Sequence, residues 1–121
     1  MSYVDGFVLV VPKKNVKAYK DMAAQGAKLW KKHGAVQYFE CVGDDLNPKW
    51  CQLPFPRLMK AGKKDTVWYS FIVYKSKAHR NKVNAKVMKD PAMQDPAWKD
   101  KPMPFDMKKV ACAGFKVVVR R

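Results

Sequence analysis

The amino-acid sequence predicts one α+β domain with the ferredoxin-like order βαββαβ and a four-stranded antiparallel sheet. Four apolar, strand-like segments are separated by two long helical patterns, and residues 3–42 and 66–119 show a weak internal repeat of strand, helix and strand. The 121 residues are enough for one domain, which we assign to 1–121. This topology places the strands in the order 4-1-3-2 with both helices on one face.

The first half of the chain contains a strand, a long helix and a second strand. Residues 3–12, rich in valine and ending at Pro12, are typical of a buried strand. Asn15 is placed to cap a helix that runs to His33, with apolar residues on one side and lysines on the opposite third. Gly34 is suited to end that helix in the left-handed conformation. Residues 35–42 predict the second strand.

The second half begins with a connection, 43–65, that is too long to lack structure. Pro56 at a first helical position and Gly62 as a terminator indicate a short helix over 55–61. Residues 66–74 alternate as a strand, and Ser76 can cap a helix that ends near Lys89. A proline-rich stretch, 91–104, precedes a last strand at about 110–119.

Two helices cover only one face of such a sheet, and the other face is also apolar. We expect a second copy of the chain to cover it, which makes the protein a homodimer. The helix-facing set should be Val4, Val8 and Val10, and the open set Phe7, Leu9 and either the Tyr69/Phe71 row or the Trp68/Ile72 row.

Charge is the unusual feature of the composition. Lys and Arg total 25 against 10 Asp and Glu, a net charge of +15, which attracts polyanions without selecting among them. No apolar run approaches the length of a membrane helix, so we expect no membrane partner. Asp5 argues against a signal peptide, and three cysteines without CxxC spacing favour reduced thiols. We therefore expect a cytoplasmic protein.

Four of the ten acidic residues map to one rim of the predicted sheet, where strand two ends and strands three and four begin. They are Glu40, Asp44, Asp45 and Asp106. Clustered carboxylates can raise one another's proton affinity and serve as a general acid or base, or they can hold a cation. The alternative interpretation is turn capping by the three aspartates and salt bridges to nearby lysines.

Arg80 and Asn84 stand four residues apart on the second long helix, where they share a face and could clamp a carboxylate or phosphate. A structural ion pair between Asp5 and Arg80 is the competing interpretation. His33 and His79 stand apart, and no metal, nucleophile or phosphate-loop motif is present. We therefore expect no metal or cofactor, and no residue is identified as catalytic.

Several segments resemble the YbaA-like family of small bacterial proteins of unknown function. They are YVDGFV (3–8), FECVGDD (39–45), SKAHRNKVNAKVMKDPAM (76–93), MPFD (103–106) and GFKVVV (114–119). The resemblance implies the dimeric α+β barrel superfamily, in which two ferredoxin-like sheets pack face to face, and it implies no single chemistry. The chain departs from the family pattern at Met107, where glycine is expected, and at His79 and Lys82.

Two functions follow from these observations. The first is a homodimeric α+β barrel with a small-molecule pocket between sheet and helices, acting as a cofactor-independent enzyme. The alternative is a basic module that binds RNA or another polyanion through its lysine-rich surface without sequence specificity. An aromatic sheet face left open would favour the second function, and a face covered by a partner would favour the first.

Overall fold

The computed structural model describes residues 2–95 and 102–121. Its helices and strands are β1 (Tyr3–Pro12), α1 (Val16–Lys32), β2 (Gln37–Val42), α2 (Phe55–Leu58), β3 (Asp65–Tyr74), α3 (Lys77–Lys89) and β4 (Val110–Lys116). Short 3-10 turns occupy Lys13–Asn15, Pro91–Gln94 and Met107–Lys109. The four strands form one antiparallel sheet in the order β2-β3-β1-β4. This is the predicted ferredoxin-like order, so the fold class is confirmed.

Helix α1 packs its apolar side on the sheet, as its periodicity predicts. Tyr19, Ala23 and Leu29 are buried, and Gly34 follows the helix with a φ of 110°, which glycine adopts without a steric penalty. Asn15 precedes the helix, but its side chain makes no cap. Its Nδ2 instead donates to the carbonyl of Pro104 at 3.1 Å, which ties the start of α1 to the segment before β4.

Helix α3 begins with the predicted cap and ends in a charged network. The Oγ of Ser76 accepts from the backbone N–H of His79 at 3.0 Å. After the helix, Asp90 Oδ2 accepts from Lys32 Nζ at 2.9 Å and from His33 Nε2 at 2.7 Å, both at the end of α1. The backbone N–H of Ala92, followed by His33 and Lys32, holds the pKa of Asp90 well below its usual range. Asp90 therefore connects the ends of α1 and α3.

The main differences from the predicted boundaries concern β2, β4 and α2. Strand β2 begins at Gln37, because the N–H of Ala35 bonds to the carbonyl of Trp30 and closes the end of α1. Strand β4 ends at Lys116, which pairs with Tyr3 at the start of β1, so the chain beyond it has passed the end of its neighbouring strand. Helix α2 ends at Leu58, and Pro56 is its second residue.

The predicted assignment of β1 side chains to the two faces of the sheet was wrong. Leu9 packs with Tyr19 and Ala23 of α1 and pairs with Trp68 on β3, so the odd-numbered residues of β1, including Phe7, face the helices. The even-numbered set, Val4, Val8 and Val10, lies on the open face. Both sets are apolar, so alternation alone could not choose between them. Of the two candidate rows on β3, the Tyr69/Phe71 row is the one on the open face.

The open face is aromatic and uncharged along its centre. Phe39 and Phe71 stack with ring centroids 4.9 Å apart, and Tyr69 lies 5.6 Å from Phe71. Phe39, Tyr69 and Phe115 are 42%, 44% and 57% exposed. The strand positions of this face within the described residues include no lysine or arginine. They are Val4, Gly6, Val8, Val10, Pro12, Gln37, Phe39, Cys41, Asp65, Val67, Tyr69, Phe71, Val73, Ala111, Ala113 and Phe115, with the acid Asp65 at the edge of the face.

None of the helices in residues 2–95 and 102–121 has the length and apolar character needed to cross a membrane.

Candidate functional site

A cavity of about 480 Å³ lies between α1 and the helix-covered face of the sheet. Helix α1 contributes Tyr19, Met22 and Trp30, the sheet contributes Phe7 and Ile72 among others, and the segment before β4 adds a third wall. That wall consists of Met103, Phe105 and Met107. The lining is mostly apolar and aromatic, which is typical of sites that bind small organic molecules.

Glu40 is the acidic group of this cavity, and two tyrosines hold its carboxylate. It lies in the middle of β2, opposite Ser70 of β3. Its Oε1 accepts from the Tyr19 hydroxyl at 2.7 Å, and its Oε2 accepts from the Tyr38 hydroxyl at 2.9 Å. Tyr38 precedes Glu40 by two residues on the same strand and therefore shares its face, whereas Tyr19 approaches from α1.

The environment of this triad shifts the acid–base properties of all three groups. Burial raises the pKa of Glu40, and the hydrogen bonds from Tyr19 and Tyr38 offset part of that rise. Burial, followed by the neighbouring carboxylate, raises the pKa of both tyrosines well above the usual range, so they stay protonated donors at neutral pH. The site therefore has one titratable acid and two neutral hydroxyls.

A second cavity, of about 510 Å³, lies beside the first between α1 and β2. Tyr38 and Glu40 line both cavities, and Lys20 lines only the second.

The other acidic candidates lie apart from Glu40. Asp106 is exposed, and its Oδ1 accepts from the backbone N–H of Lys108 at 2.9 Å, so it caps the turn before β4. It lines a different cavity from Glu40. Asp44 and Asp45 are exposed in the connection after β2. In the described part of the chain, no three His, Cys, Asp or Glu side chains are grouped as a metal site would require.

The Arg80 and Asn84 pair is occupied by contacts within the chain. Arg80 Nη2 donates to the Tyr3 hydroxyl at 3.0 Å, and its Nε lies 3.6 Å from Asp5 Oδ1. Asn84 Oδ1 accepts from Trp30 Nε1 at 3.0 Å and from the Tyr74 hydroxyl at 3.3 Å. The structural ion pair between Asp5 and Arg80 is therefore confirmed. A ligand-binding role for any of the six candidate residues stays a prediction.

Sequence reasoning identified Glu40 but missed its two tyrosine partners. Tyr38 could have been found from its spacing, since residues two apart on a strand share a face. Tyr19 lies on the apolar side of α1, and its contact with β2 depends on how the helix crosses the sheet. Asp90 was also missed, because its partners at the end of α1 are 57 and 58 residues away in sequence.

Comparisons with known proteins agree with the resemblance predicted from the sequence. Residues 2–107 match the family described as a protein of unknown function, DUF1428. The chain is 39% identical over 119 residues to the uncharacterized protein YbaA of Escherichia coli strain K12, with 98% of each chain covered. YbaA of Shigella flexneri matches with the same identity and coverage.

A solved structure with a similar fold is that of a dimeric ferredoxin-like protein from an uncultured marine organism. Its TM-score is 0.60 and its sequence identity 11%, with 100% of both chains covered. At this identity, the likeness concerns the fold alone.

Proposed function

The chain belongs to the DUF1428 family, and on that premise we propose that it is a homodimer that binds a small, largely apolar molecule between α1 and the sheet. Glu40 is the acid–base group of this site, and the reaction needs no cofactor. The observation that carries the proposal is the Glu40 carboxylate held by the hydroxyls of Tyr19 and Tyr38 in a mostly apolar cavity.

The environment of Glu40 suits a general base. A carboxylate with a raised pKa takes up a proton more readily than one in water, and an apolar cavity strengthens its interaction with the donor of a bound molecule. The two tyrosine hydroxyls fix the direction of both carboxylate oxygens. A suitable ligand has an aromatic or aliphatic body and an acidic O–H, N–H or C–H group that reaches Glu40.

The open face of the sheet supports the homodimer. An apolar face with exposed aromatic side chains favours a protein partner, and a second copy of the same face is complementary in size and polarity. The solved ferredoxin-like protein of the same fold is described as dimeric. An RNA-binding sheet would pair its aromatic residues with cations, and the described strand positions of this face include none. The observation therefore favours a second copy over RNA on this face.

The proposal is tested by screening neutral aromatic compounds for thermal stabilisation of the wild type, Glu40→Gln and Asp106→Asn. Glu40→Gln keeps the size of the side chain and removes its charge, and Asp106→Asn is the matched change at an exposed acid. We expect compounds that stabilise the wild type to stabilise Asp106→Asn equally. Binding or turnover in Glu40→Gln should fall at least about tenfold, which corresponds to about 1.4 kcal/mol.

A second variant separates an acid–base role from a purely steric one. Tyr38→Phe removes one hydrogen bond that lowers the pKa of Glu40, so the pH midpoint of binding or turnover should move upward. In Glu40→Gln, the same pH dependence should disappear. If Glu40→Gln and Tyr38→Phe bind the same compounds as the wild type, with the same pH profile, Glu40 is not the acid–base group.

A further inference from the structure

Three pairs of lysines lie at the ends of three neighbouring strands. Lys13 and Lys14 follow β1, Lys63 and Lys64 precede β3, and Lys108 and Lys109 precede β4. Because β1 runs antiparallel to both β3 and β4, the three pairs occupy the same rim of the sheet. The backbone N–H of Lys13 donates to the carbonyl of Lys64 at 2.8 Å, which joins two of the pairs directly.

A cavity of about 590 Å³ opens at this rim, between the end of α2 and the start of β4. Lys60, Lys108 and Lys109 line it together with Asp106, and Leu58, Met59, Val110 and Ala111 form an apolar wall. Lys109 is half-buried, and its Nζ donates to the carbonyl of Lys60 at 3.2 Å. This bond holds one ammonium group at the cavity and leaves two of its N–H groups for a ligand.

Four aspartates also belong to this rim. Asp44 and Asp45 follow the end of β2, Asp65 Oδ2 accepts from the N–H of Gly62 at 2.8 Å, and Asp106 Oδ1 accepts from the N–H of Lys108 at 2.9 Å. The ion pairs within residues 2–95 and 102–121 involve Lys17, Lys32, His33 and Arg80, so none of them joins a rim aspartate to a rim lysine. The cavity is lined by three lysines and one aspartate, so the charge of its lining is positive.

The backbone conformation of Lys60 belongs to the end of α2. Lys60 has a φ of 54°, and the N–H groups of Lys60 and Ala61 donate to the carbonyls of Arg57 and Pro56, which is a common way for a helix to end. This turn places Lys60 in the lining of the cavity.

We propose that the rim cavity binds a small molecule that carries a phosphate group. Lys60, Lys108 and Lys109 surround the phosphate, and Leu58 and Met59 contact the apolar part of the ligand. The three ammonium groups and the Asp106 carboxylate give the lining a net charge of about +2, which matches a phosphate dianion better than a single carboxylate. The apolar wall favours a small amphipathic molecule over the phosphate backbone of a nucleic acid. This site is separate from the Glu40 cavity and does not depend on its role.

The test is calorimetric titration of the full chain with phenyl phosphate, and with inorganic phosphate and phenol as its two separate parts. The variants are Lys108→Gln/Lys109→Gln and, with the same change in net charge, Lys28→Gln/Lys86→Gln at exposed positions of α1 and α3. Phenyl phosphate should bind more tightly than either of its parts. Binding should weaken at least tenfold in the rim variant and stay within about twofold of the wild type in the helix variant.

Lys60→Gln provides a second test, because it removes one ammonium group and keeps the carbonyl that Lys109 uses. It should weaken phenyl phosphate binding at least threefold without changing the melting temperature, and Glu40→Gln should leave that binding unchanged. Equal losses in the rim and helix variants, or no binding by the wild type, would overturn the proposal. Rim-dependent binding of a single-stranded oligonucleotide that is tighter than binding of phenyl phosphate would replace it with a nucleic-acid surface.

Discussion

The two faces of the sheet differ in the polar groups that they contain. On the helix-covered face, Asp5 forms an ion pair with Arg80, and the Glu40 carboxylate accepts hydrogen bonds from two tyrosines. On the open face, the central positions are apolar or aromatic, and yet Phe39, Tyr69 and Phe115 are substantially exposed. The covered face therefore contains buried ionisable groups, whereas the charged residues at the described strand positions of the open face are limited to Asp65 at its edge.

This difference separates two tasks. A buried ionisable group is costly without a partner, and the partners that it acquires also set its direction and pKa, which makes the covered face suitable for chemistry. An exposed apolar face gains free energy when a second surface covers it, which makes the open face suitable for association. Substitutions on the two faces test this division.

The largest effect is expected from adjacent substitutions on opposite faces of β1. Leu9 is 3% exposed and packs between Tyr19 and Trp68, so Leu9→Ala should lower the free energy of unfolding by about 2–5 kcal/mol. Val8→Ala, on the open face, should cost less, because its side chain contacts no helix. Denaturant titration of both variants measures the two costs, and a larger cost for Val8→Ala would reverse the assignment of the faces.

Association through the open face is tested by Phe71→Lys. A charge between Phe39 and Tyr69 would be buried in a dimer, so the dimer dissociation constant should rise at least about tenfold, or about 1.4 kcal/mol. Sedimentation over a range of protein concentrations measures this constant. Ala85→Lys, at an exposed position of α3, is the control and should dimerise normally. A wild type that sediments as a monomer would contradict the proposed dimer.

The charged network at the helix ends should appear as pH dependence. Because the pKa of Asp90 is depressed in the folded protein, its contribution to stability is present above its ordinary value of 3.8 and is lost as the pH falls through the folded value. Asp90→Asn should therefore destabilise the protein at neutral pH, and the difference from the wild type should shrink in acid. Thermal melting from pH 7 to pH 2 measures this trend.

Asp21→Asn removes an exposed carboxylate paired with Lys17 and serves as the control for Asp90. It should change stability little at any pH, because exposed ion pairs contribute little. A difference between Asp90→Asn and the wild type that grows towards acid would mean that the network does not favour the ionised carboxylate.

The smallest effect is expected at Asp106. Its carboxylate caps a turn of three residues, so Asp106→Ala should cost about 0.5–1 kcal/mol, whereas Asp106→Asn, which can still accept the bond from Lys108, should cost less. Melting temperatures of the two variants measure the difference. Equal costs would show that the cap is not what Asp106 contributes.

Much of the fold could be predicted from local signals. The periodicity of α1, the cap at Ser76 and the glycine at Gly34 act within a few residues and appear in the structure as expected. The strand order follows from connection rules that depend on the order of the elements. Strand ends were less accurate, because β4 stops where its neighbour β1 begins, and that limit is not a property of its own residues.

The candidate site was only partly predictable. Glu40 was identified as one of four acids at a predicted rim of the sheet, and grouping it with Asp106 relied on strand ends alone. In the structure, Glu40 points to α1 and Asp106 bonds to its own turn. The Asp5–Arg80 pair predicts which side of β1 the helices cover. If Asp5 faces α3, then Phe7 and Leu9 face the helices as well, since residues two apart share a face.

Sequence alone was enough to predict the number, type and order of the helices and strands and the family to which the chain belongs. These depend on periodicity, caps and motifs that act over short distances along the chain. Tertiary contacts determine which side of β1 is covered, which hydroxyls hold Glu40 and where the lysine pairs come together. Each of these depends on contacts between residues far apart in sequence, and a strand that is apolar on both sides fits either face until a helix packs against it.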